Sequence, residues 1–214
     1  MNKTAIKNFA VWARQKLIDD IKYKAGILGI TENGIAEKLP QSTADLHFYD
    51  IGTKNYSEIS GIEIKQREAL VKAIKTRERS LKNYKEAFEN VVEEVAYTWF
   101  NRLVAIRFME INDYLPSGIR VLSSENKAKN EPDFVTSPFD TDLEFTPYEQ
   151  DRIIQLKDEN KLDELFRMLF IKQCNKLHDI LPDLFEKNGR LFRIAFDNLI
   201  YRQRRYCISP CSRY

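Results

Sequence analysis

Seven glycines and seven prolines in 214 residues are few, and a turn-rich all-β design needs more. The glycines, at positions 26, 29, 34, 52, 61, 118 and 189, never stand two apart. The G-x-G turn on which a nucleotide cofactor lies close to the backbone is therefore missing. No G-x-x-x-x-G-K-[ST] phosphate loop, H-E-x-x-H zinc helix or G-x-S-x-G nucleophile turn occurs either. Histidine is limited to His47 and His178, without paired ligand spacing, so Cys207 and Cys211 are not read as half of a zinc site and no metal is expected. With Cys174 the cysteines number three, an odd count without framework spacing, which points to a reducing compartment. No run approaches the roughly 18 uncharged apolar residues of a membrane span. The start, MNKTAIKNFAVWARQKL, is basic and amphipathic like a transit peptide, but Asp19 and Asp20 follow and the pattern continues as an ordinary helix. A cytoplasmic protein without membrane contact is expected.

What is present is helical periodicity. Ile6, Phe9, Ala10, Ala13, Leu17 and Ile21 recur by three or four and predict a helix over about 4–24, ended by Gly26 or Gly29. A short helix is expected over 35–39, then loop over 41–60 with a turn at Ile51-Gly52. Ser60-Gly61-Ile62-Glu63 reads as a capping box. It opens a helix that presents Ile64, Leu70, Val71 and Ile74 on one side. A long helix follows over about 81–111, continuous with its predecessor or broken near Ser80, and Pro116 and Gly118 mark its stop. The run VAYTWFNRLVAIRFMEINDYLP from Val95 is apolar nearly all round yet holds Asn101, Arg102, Arg107, Glu110, Asn112 and Asp113. It is expected to be a buried central helix whose charged groups find specified partners. A short strand over 119–122 and a polar surface loop over 123–146 follow. Thr146-Pro147-Tyr148-Glu149 is a second capping box, with proline at the first helical position. It opens a helix over 147–156, and another is expected over 161–180. The predicted fold class is all-α, a helical bundle with long central helices and at most one short β-hairpin or strand.

Charge is balanced overall, with 34 basic and 32 acidic residues, but segregated. Residues 1–25 carry six basic and two acidic groups, residues 63–87 eight and four, and residues 131–164 three and eleven. A basic helical stripe suits a polyanion such as DNA, although a solvated face is the commoner meaning of one basic helix. The candidate backbone contacts are Lys65, Lys72, Lys75, Arg77, Arg79 and Lys82. The aromatics, two Trp, thirteen Phe and ten Tyr, fall at helical spacing and are assigned mostly to the core, Trp12 included. The carboxylates lie on polar helix faces and none is nominated for acid–base work.

Two long stretches, MNKTAIKNFAVWARQKLIDDIKYKAGILGI and EEVAYTWFNRLVAIRFMEINDYLPSGIRVLSS, resemble the N-terminal region of the adenine-specific DNA methyltransferase of the BREX phage-defence system, the PglX family. PDFV and DELFRMLFIKQCNKLHDILPDLFEK fit the same region, so the resemblance covers about 1–187. It implies an all-helical N-terminal domain preceding a Rossmann-like catalytic domain that methylates the adenine amine with S-adenosylmethionine. The family's [NDS]-P-P-[YF] tetrapeptide is absent here, because no two prolines are adjacent. No catalytic or cofactor residue is carried over, and this chain alone is expected to be inactive and to bind no cofactor. The implied partners are double-stranded DNA, in the full-length context, and other BREX proteins.

Residues 188–214, NGRLFRIAFDNLIYRQRRYCISPCSRY, depart from the family wording. Codons that encode NGRLFRIA, read one base later, give T-E-D-Y-S-E-L, which resembles the family. A frameshift near Lys187 is the expectation, with an aberrant basic tail after a helical domain over 1–187. The competing readings are a protein–protein interaction module and a truncated product with no function of its own.

Overall fold

A computed structural model describes residues 3–126, 128–129 and 131–185. The expected boundary at 187/188 and the tail lie outside these residues. The described chain forms two compact units, one up to Phe100 and one from Asn101 onward.

In the first unit, helix α1 (Lys3–Ile27) buries Ala13, Leu17, Ile18, Ile21 and Ala25 along one face. It ends where Leu28 and Gly29 donate to the carbonyls of Lys24 and Gly26. Gly29 sits at φ +71°, and a Cβ there would lie 3.1 Å from Ala36 Cβ and 3.2 Å from Tyr49 Cβ. Glycine is thus required twice, by conformation and by space. Two antiparallel hairpins follow: β1 (Ile30–Thr31) with β2 (Gly34–Ile35), and β3 (Leu46–Tyr49) with β4 (Ser57–Ser60).

These hairpins correct two expectations. The predicted helix over 35–39 is replaced by β2 and by a bridge from Lys38 to Tyr49. The predicted loop over 41–60 holds the second hairpin, whose connection does turn at Gly52, φ +72°. Its Tyr49, Ser57 and Ile59 are buried. The fold is mostly helical, with two small sheets where at most one hairpin was expected.

Helix α2 (Ile62–Leu81) begins at Gly61 without a side-chain cap. The expected capping box does not form, because Ser60 pairs with Leu46 in the sheet and the Glu63 carboxylate binds Lys24 Nζ at 2.9 Å. α2 buries Gln66, Leu70 and Ile74. It is broken from α3 (Tyr84–Ile111) by Lys82 at φ 56°, whose N–H donates to Glu78 O. Asn83 then caps α3, its side-chain oxygen accepting from the Glu86 N–H at 3.3 Å. Within the first unit α3 buries Ala87, Phe88, Val91, Val92, Val95, Ala96 and Trp99.

The second unit starts in the same helix, where Arg102, Ile106, Met109 and Glu110 are buried. The helix is not buried all round as expected: Val104, Phe108 and Ile111 face solvent. Glu110 accepts from Arg107, from Ser123 Oγ and, at 2.8 Å, from the Leu122 N–H. Residues 119–122 form no strand. Their segment is held instead by carboxylates and by the Phe134 N–H, which donates to Arg120 O at 3.0 Å. The polar stretch over 123–146 is no mere surface loop. It contains a short helix, α4 (Asp133–Thr136), and a 3-10 turn, Pro138–Asp140. Phe134 is fully buried and meets Phe166 edge-on at 6.4 Å.

Helix α5 (Pro147–Asp158) has the capping box the sequence predicts, with Thr146 Oγ accepting from the Glu149 N–H and Glu149 accepting from the Thr146 N–H at 2.8 Å. Helix α6 (Leu162–Leu177) buries Leu165, Phe166, Leu169, Phe170, Gln173, Cys174 and Leu177. Among the described residues no helix is long and apolar enough to cross a membrane.

Candidate nucleic-acid interface

The candidate surface is the outer side of α2, and its residues follow from the helical period. Gln66, Leu70 and Ile74, spaced by four, turn inward. On the opposite side Lys65, Lys72, Lys75, Arg79 and the capping Lys82 are all exposed. At about 100° per residue the five fall within an arc of roughly 100°, a single row along the helix. Among the described residues none of the five forms an ion pair. Glu68, exposed, interrupts the row with opposite charge. A shallow groove beside it is lined by Val71, Lys72, Lys75, Thr76 and Arg79.

Arg77, the sixth residue read from the sequence, stands apart. It projects from another side of α2 and binds Glu94 of α3 at 2.5 Å, so its charge ties the two helices together. Arg67 also leaves the solvated set. Its guanidinium donates to Leu28 O at 2.9 Å and Ala36 O at 2.6 Å, and lies 3.9 Å from the centre of the Tyr49 ring. Partial burial pushes its pKa down, against the opposing influence of Tyr49 and Glu68. That position is structural, joining both hairpins to α2.

Some groups of the other charged segments pair within the fold. On α1, Arg14 pairs with Glu93 at 3.0 Å, Lys16 with Asp20 at 2.7 Å and Lys24 with Glu63 at 2.9 Å. In the acidic region, Asp142 pairs with Lys176 at 2.8 Å, Glu149 with Lys172 at 2.7 Å and Glu164 with Arg152 at 2.5 Å. Hydrogen bonds from Lys172 and then from the Thr146 backbone pull the Glu149 pKa below the usual carboxylate range. Lys3, Lys7 and Lys22 of α1 also form no ion pair among the described residues, while the α2 row sets five such cations on one helix face.

Aromatic placement departs from the sequence reading. Trp12, assigned to packing, is 40% exposed. Tyr23, Tyr56, Phe108, Tyr114, Phe139 and Tyr148 are exposed as well. None of these aromatics lies on α2, so the basic row carries no stacking platform for unpaired bases.

No family model matches the sequence. Two curated relatives do. Adenine-specific methyltransferase PglX of Lacticaseibacillus casei (strain Zhang) is 43% identical over 202 residues, covering 92% of this chain. The chain is homologous to a segment of adenine-specific methyltransferases. Adenine-specific methyltransferase BrxX of Escherichia coli O9:H4 (strain HS) is 34% identical over 190 residues and 87% of the chain. The resemblance read from the sequence therefore holds. The chain spans 16% of the length of the first relative and 14% of the second.

Proposed function

We propose that this chain is the N-terminal, non-catalytic part of an adenine-specific DNA methyltransferase of a BREX-type phage-defence system. Its task is to hold duplex DNA by the phosphate backbone while the S-adenosylmethionine chemistry takes place elsewhere in such an enzyme. The observation that carries the reading is the row of Lys65, Lys72, Lys75, Arg79 and Lys82, exposed on one side of α2 and without an ion pair among the described residues, in a chain 43% identical to a segment of an adenine-specific methyltransferase. Contacts of this kind set position and orientation and carry no base information. The missing G-x-G turn and prolyl tetrapeptide agree with a chain that binds no cofactor by itself.

The test is a salt titration of duplex binding by the purified chain. If all five cations meet phosphates, log K against log salt falls with a slope of about −4.5. Reversing Lys72, Lys75 and Arg79 to Glu abolishes measurable binding, while Arg77→Ala leaves the slope unchanged. Affinity that is the same at low and high salt refutes the mode. Tritium transfer from S-adenosylmethionine to DNA by this chain alone refutes the non-catalytic assignment.

A further inference from the structure

Within the second unit, the outward side of α3 is apolar. Val104, Phe108 and Ile111 stand at i, i+4 and i+7, and are 42%, 58% and 55% exposed. Tyr114, 61% exposed just past the helix end, meets the Phe108 ring edge-on at 5.9 Å, which closes the four into one patch. Two neighbouring polar groups are turned to internal tasks, while Asp113 is exposed at the rim. Arg107 binds Glu110 and Ser123, and Asn112 Nδ2 donates back to Phe108 O at 2.8 Å. The other side of the same helix buries Ile106 and Met109 in the core, so the outer stripe is surplus to this unit's own packing.

Size discriminates between occupants. With roughly 150–230 Å² for each fully exposed residue of these types, the four present about 400 Å². A stable dimer of separate copies needs about 800 Å² per partner. Contacts between domains of one enzyme run from about 600 Å² in total, or roughly 300 Å² per side. The absence of charge at the centre of the patch is the composition of an interface core. The match covers 92% of this chain but only 16% of the L. casei relative, so such enzymes carry a large further body beside this segment.

We infer that Val104, Phe108, Ile111 and Tyr114 dock the remainder of the methyltransferase, through an uncharged apolar surface on that body. This rests on the reading of the chain as part of such an enzyme. The experiment uses two proteins: this full chain alone, and the L. casei relative carrying this chain's residues in place of its own matched segment. Hydroxyl-radical footprinting reads oxidation at Phe108 and Tyr114, with exposed Tyr23 and Tyr148 as internal references. Burial in an interface core predicts about fivefold or greater protection of Phe108 and Tyr114 in the chimera, with the references unchanged.

Equal labelling in both proteins overturns the inference. So does low reactivity of Phe108 in the isolated chain, whether its own tail or a second copy covers the patch. A second readout is the double variant Phe108→Ser/Ile111→Ser, which leaves the melting temperature of the isolated chain unchanged and lowers that of the chimera. An equal drop in both makes the residues internal supports and overturns the docking role. The parent reading fails separately: a chimera with a protected patch that transfers no methyl group to adenine sinks the enzyme assignment. One that methylates with the patch still labelled sinks only the docking surface.

Discussion

Replacing Arg67 by Met tests how the first unit is held together. The guanidinium makes two hydrogen bonds to carbonyls, at 2.9 Å to Leu28 and 2.6 Å to Ala36, and lies on the Tyr49 ring. Hydrogen bonds from a charged donor contribute about 1.5–3 kcal/mol each, and a partly desolvated cation–π contact about 1 kcal/mol. Desolvation of the guanidinium, seen in its depressed pKa, offsets part of that sum. Met restores the stem's packing but none of the polar contacts. The expected loss is about 3 kcal/mol, or roughly 6–12 °C in melting temperature for a chain of this size. Arg67→Lys keeps a point charge that can serve one carbonyl at a time, and recovers about half of the loss. Urea unfolding followed by circular dichroism, with the slope compared between variants, measures both. A Met variant within about 0.5 kcal/mol of the parent refutes the account, since surface substitutions without partners fall in that range.

Gly29→Ala combines left-handed backbone with contacts of 3.1 and 3.2 Å, and is expected to cost about 1–3 kcal/mol in the same assay. Thr146→Ala removes the α5 cap and costs about 1 kcal/mol. Burial, aided by Glu78, raises the Tyr84 pKa to about 12 from an ordinary value of 10, so the folded state favours the neutral phenol. Its contribution to stability is complete below pH 10 and is lost as pH rises toward 12, and Tyr84→Phe flattens that fall in a stability-against-pH series. Burial likewise lifts the Cys174 thiol to about 12 from 9.0. In a Cys207→Ser/Cys211→Ser background, alkylation at pH 8 is expected to proceed only as fast as the chain unfolds, and rapid labelling under native conditions contradicts it.

The long helices were legible because their signals are local. α1 and α3 repeat apolar residues by three and four, and Thr146-Pro147 with Glu149 fixes the start of α5 by chemistry within one turn. The hairpins were not legible. Strands of two and four residues give no sustained alternation, and they depend on Gly29, Tyr49 and Arg67, which are scattered over nearly forty residues of sequence. Ser60 and Glu63 spell a capping box, yet each was claimed by a distant partner, Leu46 and Lys24. In the polar stretch after Ser123, Phe134 and Val135 are a lone apolar pair, too short for periodicity to detect. The helical period alone sets Lys65, Lys72, Lys75 and Arg79 on one exposed face, but the pairing of Arg77 with Glu94 follows from the packing of α2 on α3. Periodicity also cannot tell an apolar side chain that meets protein from one that meets water. Hence the sequence pattern alone puts Phe108 and Ile111 in the core, whereas they are 58% and 55% exposed.

Residues of both compact units belong to the unbroken twenty-eight-residue helix α3. Its hydrogen-bond ladder runs across the division after Phe100, so expressing either half alone strands several turns without their mates. Dissection of this protein is expected to fail at that division, where the chain offers no natural seam, and equally at the Lys82–Asn83 break, which takes the buried Phe88, Val91 and Trp99 away from the first unit.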